Sequence, residues 1–186
     1  MIASLDSRTA PFERLNSRYV RFLDVLRARG FEGEIAPDYA NRTVLATDNS
    51  IYQRLPQAAV FPKHAEDLER LAKLAAELPH RDIVLTPRGG GTGTNGQSLT
   101  DGIVVDVSRH MNQILEIDVE ARRVRVQAGV VKDQLNAALK PHGLFFAPEL
   151  STSNRATIGG MISTDASGQG SCEYGKTRDH VLELDT

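Results

Sequence analysis

The sequence contains a single cysteine, Cys172, and no tryptophan. One thiol cannot form a disulfide within the chain, so the composition fits a reducing compartment. No apolar run approaches the roughly eighteen residues that a membrane-spanning helix needs. The first residues also lack the basic-then-apolar pattern of a secretory signal. These absences lead us to expect a cytosolic (cytoplasmic) protein with no membrane span.

The sequence also has almost no excess of positive or negative charge and no cluster of reactive side chains. The 22 basic residues nearly balance the 24 acidic ones, with a net charge of −2 and no basic block, so we expect no nucleic-acid partner. The five histidines show no metal-ligand spacing, and the sequence offers Cys172 no evident base. We therefore predict neither a metal site nor a catalytic residue in this chain.

Glycine, by contrast, is concentrated in one stretch, which holds five glycines between Arg88 and Gln97. Glycine adopts backbone angles that other residues avoid and lets a ligand approach the main chain closely. Successive N–H groups in such a turn form a concave site for anions, above all phosphate. Arg88 at the mouth of the loop adds a positive charge, either toward the ligand or in a structural ion pair at the neck of the loop. Thr92 and Ser98 add hydroxyl donors. The stretch therefore predicts a phosphate or pyrophosphate loop.

Four interpretations of this loop differ in the structure that they require around it. Gly91 to Gly96 match the dinucleotide pattern GxGxxG, but that pattern needs a helix, and a predicted strand at 103–107 follows instead. Gly91 to Ser98 approach the nucleotide-triphosphate loop, but Gln97 stands where lysine is required. A surface loop without a ligand is the third interpretation. The fourth, which we favour, is strand, glycine loop, strand.

A family resemblance supports the fourth interpretation. The run from Pro87 to Gly93, followed by a strand that ends in Asp106, resembles the pyrophosphate loop of the FAD-linked oxidases related to p-cresol methylhydroxylase and vanillyl-alcohol oxidase. Residues 147–168 and 174–179 are similar to the second FAD-contacting segment of the D-lactate, glycolate and D-2-hydroxyglutarate dehydrogenase branch. Two motifs in this order, about sixty residues apart, are more specific than either alone.

The resemblance implies an α+β fold, namely the first subdomain of the p-cresol methylhydroxylase-type FAD-binding fold, a mixed sheet flanked by helices, with the second subdomain truncated. It also implies FAD as the cofactor. The predicted cofactor-binding residues are Pro87, Arg88, Gly89, Gly90, Gly91, Thr92, Gly93, Ser98, Pro148, Ser153, Thr157, Gly159, Gly160 and Thr164. The N–H groups of Gly159 and Gly160 are expected to be exposed.

Two positions differ from relatives in the family. Some relatives attach the flavin covalently through a histidine at the position of Thr92, and threonine has no nucleophilic ring nitrogen, so we predict non-covalent FAD. Relatives often carry Asn-Ala-Gly-Gly where this chain has residues 165–168 as Asp-Ala-Ser-Gly. A buried Asp165 would need a hydrogen-bond donor as its partner.

The same resemblance implies a function for a larger protein. This chain would be the N-terminal portion of a flavin-dependent oxidoreductase that oxidises a D-2-hydroxy acid, of the D-lactate or D-2-hydroxyglutarate type, by hydride transfer to FAD. The hydroxy acid would bind through C-terminal domains that this chain lacks, so we expect no turnover by the fragment alone. Two alternatives stay open: a non-catalytic binding or structural module derived from the same fold, and a Rossmann-type nucleotide-binding domain.

Hydrophobic periodicity and turn residues define the predicted elements. The predicted helices are 11–29, 65–78 and 131–140, the strands are 58–61, 82–85, 103–107 and 181–186, and a hairpin joins 113–118 to 122–128. Residues 31–56 are predicted to be mostly irregular. The predicted division is an N-terminal helical extension at 1–56, a first FAD-binding subdomain at 57–146, and a second FAD-contacting segment with the start of the truncated subdomain at 147–186.

Overall fold

The computed structural model describes residues 15–185. The helices are α1 (Ser17–Ala28), α2 (Tyr39–Val44), α3 (Ala65–Ala76), α4 (Lys132–Leu139), α5 (Ile158–Thr164) and α6 (Ser171–Tyr174). The strands are β1 (Glu34–Ala36), β2 (Ala58–Phe61), β3 (Leu85–Arg88), β4 (Ile103–Asp106), β5 (Ile114–Asp118) and β6 (Arg123–Val126). Short 3-10 turns lie at Leu78–His80, Lys140–His142 and Thr177–His180.

The main sheet has the strand order β1-β2-β4-β3. β1 is antiparallel to β2, whereas β2, β4 and β3 are mutually parallel. Every residue of the two central strands is buried, as expected for apolar runs that are covered on both faces. α3 connects β2 to β3, while residues 89–102 connect β3 to β4 with no helix between them. This mixed sheet flanked by helices confirms the predicted fold class.

Both faces of the main sheet are packed. Tyr19, Phe22 and Leu26 recur along α1 and lie buried in one cluster with α3 and one face of β2 and β4. A smaller cluster, in which Leu45 and Phe61 are buried, covers the other face. α1 ends before Gly30, whose φ of 80° is the predicted left-handed conformation. The part of the predicted helix before residue 15 lies outside the described residues.

A second layer follows the main sheet in the chain. β5 and β6 pair antiparallel, which confirms the predicted hairpin. Its inward side packs with α4 and α5 around a cluster centred on Val130, Leu135, Ile158 and Met161. This second cluster carries the C-terminal motif, so packing rather than sequence proximity places that motif beside the main sheet.

Three of the predicted elements differ from the structure, and two of them differ in type. Residues 31–56 contain β1 and α2, so the prediction of mostly irregular structure is wrong in part. The missed signal for α2 is Asp38, whose carboxylate accepts a hydrogen bond from the Asn41 N–H at 3.0 Å and caps the helix. Residues 181–185 form no strand, because no backbone hydrogen bond joins them to another strand within residues 15–185.

The strand before the glycine loop lies three residues further along than predicted, at Leu85–Arg88 rather than 82–85. Its register is set by β4, with Leu85 opposite Ile103 and Arg88 opposite Asp106. Pro87 stands within this strand although proline has no N–H to donate. β3 is at the edge of the sheet, where proline is tolerated. The strand therefore delivers Arg88, rather than Leu85, to the start of the loop.

Candidate functional site

The glycine loop, residues 89–98, leaves a row of main-chain donors without partners. Within residues 15–185, no hydrogen bond is donated by the N–H groups of residues 89–94. Gly91 and Gly96 have φ values of 64° and 72°, which lets the chain turn where a side chain would strain it. The loop runs into β4 and no helix begins in it. The GxGxxG and nucleotide-triphosphate interpretations are therefore wrong, since both need that helix.

The two sequence motifs meet in space at the start of this loop. A Cβ on Gly89 would collide with the hydroxyl of Thr157, and a Cβ on Gly90 would collide with the carbonyl oxygen of Arg155. The Arg155 Nη2 also lies 3.4 Å from the carbonyl oxygen of Gly90. These glycines are therefore required for close approach between two backbones as well as for turning the chain.

Main-chain hydrogen bonds fix the second motif in this position. The Ile158 N–H donates to the Val130 carbonyl at 2.8 Å, and the Lys132 N–H donates to the Ala156 carbonyl at 3.0 Å. An isolated bridge pairs Val131 with Thr157. The segment between β6 and α4 thus holds residues 156–158 in an extended pairing.

Arg88 is buried beneath the loop rather than open at its mouth. Its Nη2 donates to the Thr47 carbonyl at 2.8 Å, and its Nη1 lies 3.4 Å from the Ser98 hydroxyl. Burial lowers the pKa of Arg88, while the carboxylates of Asp106 and Asp48 oppose that shift. The geometry gives Arg88 a structural role at the neck of the loop, and its direct contact with a cofactor stays a prediction.

The remaining predicted residues have varied surroundings. Ser98 is buried and its hydroxyl donates to Asp48 at 3.1 Å, so it lies with Arg88 beneath the loop. Pro148 is buried, while the Ser153 hydroxyl donates to the Leu150 carbonyl at 2.7 Å. The Thr164 hydroxyl donates to the Gly160 carbonyl at 3.0 Å.

Gly159 and Gly160 lie in the first turn of α5, a helix that the sequence analysis missed. The Gly159 N–H donates to the Ala128 carbonyl at 2.8 Å, and the Gly160 N–H donates to the Thr157 hydroxyl at 3.3 Å, which caps the helix. The expectation that both N–H groups are exposed is therefore wrong. The signal for the helix was Thr157 as an N-cap residue before a short apolar run.

Asp165 has the donor partner that its burial was expected to require. Its side chain is 21% exposed and accepts a hydrogen bond from the Arg178 Nε at 2.7 Å and from the Arg178 N–H at 3.1 Å. The Arg178 side chain, as the leading cause, lowers the pKa of Asp165 below its ordinary value of 3.8. With a φ of 47°, Asp165 also ends α5 in the left-handed region.

Sequence reasoning missed two contributors to the site. Arg155 brings a second guanidinium to the loop, and within residues 15–185 it has no ion-pair partner. Residues 45–50 lie against the loop, where the Asn49 N–H donates to the Gly91 carbonyl at 3.0 Å. Residues 47–52 resemble a segment that precedes the flavin domain in the same dehydrogenase branch, but that resemblance gives them no role in the site. Both contacts join residues that are more than forty positions apart, so they become visible only in the fold.

The fold and the site together define a class of protein. A diphosphate is an anionic group that only accepts hydrogen bonds, and residues 89–94 offer main-chain donors that no described residue uses. The glycines keep side chains out of the space where the two motifs meet. These donors fit the diphosphate of a dinucleotide such as FAD, and the fold and the site together have the features of a domain that binds such a cofactor.

Comparison with known families agrees with this class. The model of the family "FAD binding domain" matches residues 56–186, and this chain belongs to that family. The chain is 74% identical over 184 residues to a D-2-hydroxyglutarate dehydrogenase of Pseudomonas putida, and 63% identical over 163 residues to one of Escherichia coli. These alignments cover 99% and 88% of this chain but only 18% and 16% of the relatives.

Solved structures share the fold. An alkyldihydroxyacetonephosphate synthase superposes with a TM-score of 0.77 at 24% identity, over 89% of this chain and 36% of that one. 6-Hydroxy-D-nicotine oxidase of Arthrobacter nicotinovorans superposes with a TM-score of 0.69, also at 24% identity, over 81% of this chain and 32% of that one. Among residues 15–185, no helix is long and apolar enough to cross a membrane.

Proposed function

We propose that this chain is the FAD-binding N-terminal portion of a longer flavin-dependent dehydrogenase that oxidises a D-2-hydroxy acid. The observation that carries this proposal is the meeting of the glycine loop with residues 155–157, around donors that have no internal partner. The 74% identity to a protein named D-2-hydroxyglutarate dehydrogenase makes D-2-hydroxyglutarate the first substrate to test, with D-lactate second.

In this proposal the residues of this chain bind and orient the cofactor. The main chain of residues 89–94 donates to the diphosphate, while Thr157 and α5 set the neighbouring wall. The bound flavin would supply the hydride acceptor for oxidation of the hydroxy acid at C2. The groups that hold the substrate and take its hydroxyl proton would come from the remainder of a longer protein, since the relatives are much longer than this chain.

Three finer points belong to the same proposal. The FAD is held non-covalently, because Thr92 has no nucleophilic ring nitrogen. The division into 1–56, 57–146 and 147–186 is retained, supported by a family match that starts at residue 56. The setting is cytosolic, supported by Cys172, which is exposed and a free thiol.

The first experiment is the visible absorption spectrum of the purified chain and of a longer protein that continues beyond residue 186. We expect a flavin band that moves to the supernatant after acid precipitation, and reduction of the flavin by D-2-hydroxyglutarate only in the longer protein. A longer protein that binds no FAD would refute the cofactor assignment. One that binds FAD but is reduced by neither hydroxy acid would refute the substrate class alone.

A further inference from the structure

A segment outside the two predicted FAD-contacting motifs lies directly against the glycine loop. This segment, which we name the latch, comprises residues 45–50 and precedes the residues that the family model matches. Leu45 and Ala46 are buried, with Leu45 in the cluster on the far face of the main sheet. The burial of Leu45 attaches the latch to the core, and the Arg54 N–H donates to the Ala46 carbonyl at 2.9 Å.

Two latch contacts fix the backbone of the loop itself. The Asn49 N–H donates to the Gly91 carbonyl at 3.0 Å, and the Thr47 carbonyl accepts from Arg88 at 2.8 Å. The latch therefore makes separate hydrogen bonds to Gly91 and to Arg88. The latch thus engages the Gly91 carbonyl, while the N–H groups of residues 89–94 donate to no acceptor within residues 15–185.

Asp48 connects the latch to the far end of the loop. Its Oδ2 accepts from the Ser98 hydroxyl at 3.1 Å, and its Oδ1 accepts from the Ser50 N–H at 2.8 Å. Ser98 in turn lies 3.4 Å from the Arg88 Nη1. One carboxylate thus holds the turn of the latch and, through Ser98, the guanidinium beneath the loop. A buried cation of this kind is costly to leave without an anion nearby.

We propose that the latch is a positioning element of the anion site, with Asp48 as its positioning residue. In this role Asp48 acts through Ser98 and Arg88, which hold the loop in the conformation that presents its N–H groups. The proposal rests on the proposed function for its effect on FAD, whereas its effect on the loop conformation is independent of any ligand.

The test compares Asp48→Ala with a matched control, Asp101→Ala. Asp101 lies near the other end of the same loop and makes only an exposed ion pair with Arg54 at 3.4 Å. Without FAD, trypsin cleavage after Arg88 should accelerate about tenfold in Asp48→Ala, because proteolysis follows the population of locally opened loop. Cleavage after Arg122, in the exposed hairpin turn, is the internal reference and should not change.

Affinity for FAD, measured by quenching of flavin fluorescence, should fall about tenfold in Asp48→Ala and stay unchanged in Asp101→Ala, which corresponds to about 1.4 kcal/mol. Asp48→Asn keeps an acceptor for the Ser50 N–H, so its cleavage rate and FAD affinity should change in the same direction but by less. This variant replaces Asp48→Ala if Asp48→Ala does not fold. Unchanged cleavage after Arg88 would overturn the proposal, as would equal acceleration after Arg88 and Arg122. If the unaltered chain binds no FAD, the proposed function fails in this fragment, while the cleavage comparison still decides the role of the latch.

Discussion

Gly91 and Gly30 share a left-handed backbone but differ in what surrounds them. Their φ values are 64° and 80°, so any side chain at either position would be strained. A Cβ on Gly30 would meet nothing within 4 Å, whereas one on Gly91 would lie 2.5 Å from the Arg88 Nη2. Comparing substitutions at Gly30 and Gly91 therefore separates the effect of backbone strain on stability from the effect of disturbing the anion site.

We predict that Gly91→Ala and Gly30→Ala each lower the free energy of unfolding by about 1–2 kcal/mol through backbone strain. Gly91→Ala should in addition weaken FAD binding by at least about tenfold, because it displaces the guanidinium beneath the loop. Urea denaturation and a flavin fluorescence titration measure the two effects. Equal FAD affinity in the two variants would contradict the role assigned to the loop.

Asp165 gives a prediction about pH. Its pKa in the folded chain lies below the ordinary 3.8, chiefly because of the hydrogen bond with Arg178. The ionised carboxylate therefore stabilises the fold when the pH is above 3.8. This contribution disappears as the pH falls through the lower pKa of the folded chain. Asp165→Asn should therefore lose less stability than the unaltered chain between about pH 5 and about pH 3. Thermal unfolding across this pH range measures the difference, with Asp101→Asn as the control. If stability falls with pH equally in Asp165→Asn and in the unaltered chain, the result would contradict the role given to the Arg178 contact.

At the scale of elements, α1 shares a core with the main sheet although it precedes the family-matched residues. Phe22 is fully buried there and stacks edge-on against His80 with ring centroids 5.4 Å apart. Phe22→Ala should lower the free energy of unfolding by about 3–5 kcal/mol, because it leaves a cavity between helix and sheet. Val20→Ala, at a position that is 38% exposed, is the control and should change it by no more than about 0.5 kcal/mol.

The measurement for α1 is denaturant unfolding followed by circular dichroism. A single transition that moves to lower denaturant in Phe22→Ala would show that helix and sheet unfold together. If Phe22→Ala behaved like Val20→Ala, α1 would be an appendage that the sheet does not need. This outcome also bears on the predicted division at residue 56, since β1 already contributes a strand to the sheet.

Elements with strong periodicity could be predicted from the sequence, and those fixed by distant partners could not. The alternation of Val124 and Val126 with arginines defined β6, and the stripe of α1 was equally clear. The bounds of β3 depend on its register with Ile103, which is a tertiary property. Residues 181–185 have the composition of a strand but no hydrogen-bonded partner strand among residues 15–185, and a strand exists only in a ladder.

At the scale of the whole molecule, the sequence revealed both motifs of the site but not how they meet. Composition and order identified a main-chain anion loop and a second FAD-contacting segment. The roles of Asp48 beneath the loop and of Arg155 beside it could not be predicted from the sequence, because they arise from contacts across the fold. The sequence also suggested that Arg88 lies at the mouth of the loop, and only its burial reveals the interactions with the Thr47 carbonyl and Ser98.

The contact between Gly90 and Arg155 closes a long stretch of chain, 65 positions from one residue to the other. A ribosome makes the glycine loop well before it makes the backbone that lies against it. The nascent polypeptide therefore spends an interval with this loop unsupported, and closure of so long a stretch is among the slower events of folding. If the site binds flavin as proposed, we expect binding only after Thr157 has been synthesised and α5 has formed.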